Sequence, residues 1–211
     1  MIYAIFIFVR VTKLYAFLPY NQANKVCALA RHICDFHSLL AIKKYLAFAG
    51  HCMFEIVLVL EKTASMSDNA HVFGFANTMV SEMGSRSELG RYSRMGIYVY
   101  NPDLHVISDI GQDLTLTSLK TRIKDFEDTS TACDASCTQY GLNNALLDVR
   151  DRLRKRIENQ MFGRLMQRRM QAIIVFKHSA LDGDSLERSR DVLQWFMDQD
   201  VHVFIAGMII I

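Results

Sequence analysis

Proline occurs only twice in the 211 residues, at Pro19 and Pro102, and neither an internal repeat nor a low-complexity tract is visible. Repeat arrays and proline-rich linkers are thereby excluded. An excess of one charge is also missing, since the formal net charge is +2. A nucleic-acid binder presents a concentrated basic face. The nearest thing to one is Arg150–Arg169, with Arg150, Arg152, Arg154, Lys155, Arg156, Arg164, Arg168 and Arg169. Asp148, Asp151, Glu158, Leu153, Ile157 and Leu165 are interleaved with them. Such interleaving reads as a solvated helix face, so nucleic acid is not an expected partner; contact with an acidic protein is the alternative. No Gly-rich phosphate loop follows the first buried strand.

Apolar runs long enough to span a bilayer are absent too. Met1–Val9, MIYAIFIFV, has the length of a signal-peptide core, but no basic residue precedes it and no small-x-small cleavage pattern follows directly. A first buried strand fits it as well. The cysteines number five (Cys27, Cys34, Cys52, Cys133 and Cys137), an odd count that leaves at least one thiol unpaired. Cys133 and Cys137 are spaced C-x3-C, which suits a small disulfide-closed turn, half of a metal site or two independent thiols. Without a second pair or a histidine at zinc spacing, a zinc site is not expected.

What the chain does have is hydrophobic residues, 51% of the total, enough for a sizeable core. Residues 1–52 stand apart: few acids, many Ala, Leu and aromatic residues, and helical spacing over Asn24–Phe48. They are expected to form a separate helical, apolar segment, and residues 53–211 the main domain. In that domain Phe54–Leu60 is an apolar strand buried on both faces. Helix follows over Ser67–Met83, with Ser67 as its N-cap. Strands are expected at Ser93–Tyr100 and Leu104–Ile110, joined by the Asn101-Pro102-Asp103 turn and hence antiparallel. Helices at Thr115–Phe126, Thr138–Ile157 and Asp184–Gln199 alternate with strands at Ala172–Phe176 and Val201–Gly207. The pattern predicts an α/β domain: a doubly wound, mostly parallel sheet with one antiparallel edge strand and helices on both faces. The abrupt apolar end, Val201–Ile211, suggests a domain cut short at its C-terminus.

In open parallel sheets ligands bind at the carboxyl ends of the strands. Three loops are expected there: Glu61–Ser67, Asp128–Thr138 and Lys177–Asp184. They offer Glu61, Thr63, Ser65, Thr138, His178, Ser179, Asp182 and Asp184. Carboxylates and hydroxyls are the oxygen ligands that Mg²⁺ prefers. Each also has a plainer role. Thr63 and Ser65 can turn the chain and cap a helix, Thr138 is a natural N-cap, and Asp182-Gly183-Asp184 reads as a turn. Glu61 is the hardest to explain away, because an acid that ends a buried strand needs a partner or water.

The blocks FEIVLVLEKTASMS, SRMGIYVYNPDLHVISDI, TQYGLNNALLDVRDRL and AIIVFKHSALDGDSLERSRDVLQWFMDQDVHVFIAGM, in that order and spacing, resemble a von Willebrand factor type A domain from Phe54 onward. The resemblance implies a metal-ion-dependent adhesion site, in which Asp-x-Ser-x-Ser, a Thr before the long helix and a second Asp hold Mg²⁺. A partner protein's carboxylate completes the shell. Carried over residue by residue, Glu61 stands for the first Asp, Thr63 for the first Ser, Ser65 and Thr138 match, and His178 stands for the second Asp. The extra methylene of Glu61 disturbs an octahedral site, and an imidazole at His178 suits Zn or Ni better than Mg. The expectation is a degenerate site with weakly bound Mg²⁺ or none.

The resemblance therefore implies a non-catalytic adhesion or protein-interaction module. Its partner, of extracellular matrix or cell-surface type, would dock near Thr63, Ser65, Thr138, Ser179 and Asp182. The setting implied is extracellular or secreted, with an intracellular minority. The alternatives are a metal-dependent hydrolase using Glu61, His178, Asp182 and Asp184, or an incomplete product without autonomous function.

Overall fold

The computed structural model describes residues 54–86, 89, 93–101, 103–130, 141–162, 170–177 and 187–207. The segment 1–52, all five cysteines, and Thr138, His178, Ser179, Asp182 and Asp184 lie outside the described residues.

The elements are β1 (Phe54–Glu61), α1 (Met66–Arg86), β2 (Ser93–Tyr100), β3 (His105–Ser108), α2 (Leu116–Thr129), α3 (Gly141–Phe162), β4 (Met170–Lys177), α4 (Arg190–Asp198) and β5 (Val201–Gly207). The strands form one sheet in the order β3-β2-β1-β4-β5. β1 pairs in parallel with β2 and β4, β4 pairs in parallel with β5, and β3 runs antiparallel along the edge. This is the expected mostly parallel α/β sheet.

Strand β1 is central and Ile56, Val57, Leu58, Val59 and Leu60 are fully buried, as an uninterrupted run requires. Alternation sends Ile56, Leu58 and Leu60 to one face, where Val72, Ala76, Met79, Val80 and Met83 of α1 and Leu119 and Ile123 of α2 cover them. Val57 and Val59 face the other side, against Leu142, Leu146, Val149 and Leu153 of α3 and Val192 and Phe196 of α4. The helices thus lie on both faces and make three layers.

Several boundaries differ from the sequence reading. Helix α1 begins at Met66 and its cap is Ser65, whose Oγ accepts the Asp68 N–H at 3.3 Å. Ser67 is already inside the first turn. The cap moves because the preceding turn closes on Thr63, which sets Ser65 as the last non-helical residue. Helix α2 is capped by Thr115, whose side chain accepts the Ser118 N–H, and it continues to Thr129. Helix α3 runs to Phe162 rather than stopping at Ile157. β3 keeps only four residues, His105–Ser108, and a register shift at Ile97/Tyr98 interrupts their pairing with β2. Asn101, at φ 84, makes the turn after β2, a left-handed position that Asn tolerates.

The Arg150–Arg169 run is only partly a solvated face. Arg150 and Arg154 pair with Asp151 and Glu158 at the surface. Arg152 pairs with Asp109 at 2.9 Å and lies 5.6 Å from the Tyr98 ring centroid. Arg156 turns inward to Glu55, which is fully buried. The helical period forces this, since Arg152 and Arg156 are four residues apart and share the sheet-facing edge of α3. Gly111 lets Arg156 pass. A Cβ there would lie 1.3 Å from its Nη1, and the φ of +88 favours glycine independently.

Candidate functional site

At the carboxyl end of β1 the apolar run stops at Glu61, flanked by Tyr100 of β2, its registered partner. On the other side β1 and β4 are in register up to Leu60 opposite Phe176, so the next residue of β4, Lys177, stands beside Glu61. Its Nζ lies 3.7 Å from Glu61 Oε1, and each side chain is only 8% exposed. A lysine on the adjacent strand is therefore one partner of this buried strand-ending acid. Burial first, and the Glu61 charge second, push the Tyr100 hydroxyl well above the usual phenol range. Among the described residues that hydroxyl, though buried, has no hydrogen-bond partner, and neither has Asn101 Oδ1. Lys62, also buried, anchors the chain to β2 through its N–H to Tyr100 O at 2.9 Å.

The loop that follows is held by Asn69, a buried residue of α1. Its Oδ1 accepts the Thr63 N–H at 2.7 Å, and its Nδ2 donates to Thr63 O at 3.0 Å. Thr63 Oγ1 accepts the Ser65 N–H at 3.2 Å and donates within reach of Ser65 O at 3.0 Å and Asn69 Oδ1 at 3.2 Å. Both hydroxyls singled out in the sequence therefore fold the loop and start α1. The structure brings Glu61, Thr63 and Ser65 to one end of β1.

Tested against a divalent cation, the described residues do not fit. Mg²⁺ needs several oxygen ligands in near-octahedral array at about 2.1 Å. Here the Glu61 carboxylate already has an ammonium beside it, and the Thr63 hydroxyl is engaged within its own turn. Among the described residues no group of three His, Cys, Asp or Glu side chains is gathered as a metal site.

Lys177, Asn69, Tyr100 and Asn101 were not singled out by sequence reasoning. Lys177 carried a readable signal, because AIIVFK ends a buried run on a charge just as IVLVLE does. Asn69 gave none, since its role depends on the loop geometry.

No protein-family model and no curated protein matches the sequence. Solved structures do. The manganese-loaded TRAP protein of Plasmodium vivax superposes with a TM-score of 0.57 at 12% identity, over 74% of this chain and 57% of that one. Proximal thread matrix protein 1 of the mussel byssus, with zinc in its MIDAS motif, gives 0.50 at 16% identity over 74% of this chain and 38% of that one. A second structure of the mussel protein gives 0.51 at 13% identity. The chain thus spans little more than half, or less, of the length of these neighbours. With its five-stranded sheet, single antiparallel edge strand and helices on both faces, the chain has the von Willebrand factor type A fold.

Proposed function

We propose that the chain is a non-catalytic protein-interaction module that receives its partner on the rim at the carboxyl ends of the strands. The observation that carries this reading is the cluster of buried polar groups beside the loop after β1: Glu61, Lys177, the Tyr100 hydroxyl and Asn101 Oδ1. An apolar sheet that terminates in such a cluster has a surface set up for recognition. Beside it, Ala64 and Met66 are exposed on the clasped loop, Met66 at 56%, an apolar contact next to polar ones. Thr63 and Ser65 hold that loop in shape. Thr138, Ser179 and Asp182 are proposed to complete the partner-facing set.

The neighbours support the reading by fold; one is a thread matrix protein, consistent with a partner of matrix or cell-surface type and an extracellular setting for this chain. No helix among the described residues is long and apolar enough to cross a membrane. The test is a proximity-labelled capture from extracellular fluid with wild type and with Met66→Asp, which replaces an exposed side chain. A defined protein recovered by wild type and lost with the variant, at unchanged melting temperature, is expected. Equal recovery by both would place the contact surface elsewhere.

A further inference from the structure

The Glu61–Lys177 pair deepens this reading, and rests on it for the role of the rim in binding. We infer that Lys177 is the resident cation of the rim: its ammonium, tethered to β4, takes the place at Glu61 that a divalent ion would occupy, so the rim engages its partner without metal. A carboxylate removed from water needs a compensating charge. Lys177 provides one at 3.7 Å from a position as buried as that of the acid itself. The juxtaposition follows from register rather than from chance side-chain reach. β1 and β4 pair residue for residue up to Leu60 and Phe176, and the next residue on each strand is the charged one.

Both side chains suit this arrangement. Glu is longer than Asp and can lean sideways toward a neighbouring strand, and the flexible stem of Lys lets a point charge settle against it. A dication bound to the same carboxylate would sit beside a fixed positive charge in surroundings that screen poorly, which opposes its entry. The neighbouring hydroxyl has been turned to another task, since Thr63 closes the loop with Ser65 and Asn69. Beside its strand-ending acid the rim thus has a positive charge supplied by the chain.

The test uses Mn²⁺ alone as the probe, followed by paramagnetic resonance and by melting temperature in chelator and in millimolar metal. Wild type is expected to bind no Mn²⁺ at the rim and to melt identically in both conditions. Lys177→Met is expected to melt lower in chelator, to recover with Mn²⁺, and to bind the ion at least about tenfold more tightly than wild type, the removal of one adjacent positive charge being a change of about that size. Saturable sub-millimolar Mn²⁺ binding by wild type, abolished by Glu61→Gln, would overturn the inference, and so would a Lys177→Met variant indifferent to metal. Should that variant fail to fold, Glu61→Gln combined with Lys177→Met decides. Recovery of folding without metal supports charge compensation, and failure of the double variant as well counts against it. No partner enters these measurements, so a metal response in wild type would sink the tethered cation while leaving the protein-binding reading standing.

Discussion

Strand β1 carries a buried carboxylate at each end, and the two meet their cations in different ways. At the amino end Glu55 receives Arg156 from α3, Nε to Oε2 at 3.2 Å, with Gln171 Nε2 donating to the same oxygen at 3.2 Å. The cation comes from a helix that crosses the sheet, and a glycine makes room for it. At the carboxyl end Glu61 receives Lys177 from the neighbouring strand. The first arrangement fastens a layer of the fold to the sheet. The second fastens the ends of two adjacent strands to each other at the rim. Two tyrosines repeat the contrast. Tyr98 donates to Asp109 Oδ1 at 2.5 Å and accepts the Ile110 N–H at 2.9 Å. Tyr100, two residues nearer the rim, has a buried hydroxyl without a hydrogen-bond partner among the described residues.

If the amino end is the structural one, Arg156→Met gives the largest loss. It strands a carboxylate that is fully buried, and chemical denaturation should show a destabilisation of about 3–5 kcal/mol. A loss under about 1 kcal/mol, the range of surface pairs, would break the comparison. Asn69→Ala removes the clasp of the rim loop and should cost about 2 kcal/mol in the same measurement, with faster hydrogen exchange confined to residues 62–69. Next in size is the alkaline limb. Burial, then the hydrogen bond and charge of Asp109, hold the Tyr98 hydroxyl above its ordinary value of 10.0, against the smaller opposing effects of the Ile110 N–H and Arg152. A folded-state pKa raised above the unfolded one gives stability that is complete below about pH 10 and falls as pH rises beyond it. Urea midpoints measured across that range should drop for wild type and drop less for Tyr98→Phe, which itself costs about 1–2 kcal/mol at neutral pH. Tyr100→Phe should lie within about 0.5 kcal/mol of wild type at neutral pH or be slightly stabilising, because it removes a buried hydroxyl that has nothing to bond. A clear loss there would show that the hydroxyl is not idle in solution.

Much of the fold was readable because its signals are periodic. The short, β-branched apolar runs of β1 and β4 read as buried strands, the i, i+3, i+4 spacing of Val72, Ala76, Met79, Val80 and Met83 as one helix face, and the Asn101 turn reversed the edge strand. Helix ends were less readable, since a cap depends on which hydroxyl the preceding turn presents, and both Ser65 and Ser67 satisfy the pattern. At the site, Glu61, Thr63 and Ser65 were found by residue type and position, but what they do was not. A sequence places a carboxylate at a strand end without saying which strand lies beside it, so Lys177 stayed hidden until β1 and β4 were seen to be neighbours. Arg156 was hidden for a related reason: within a charge run every arginine looks alike, and only the packed helix shows which one faces inward.

The acids at the two ends of β1 also police how the sheet assembles. Were β1 and β4 to slip by two residues, the alternation of faces would be preserved and the apolar middle would notice little. In one direction Glu61 would come to rest against Val175, and in the other Glu55 against Ile173. Either misalignment parts Glu61 from Lys177 and Glu55 from Gln171, so polar pairing rejects what hydrophobicity alone would tolerate.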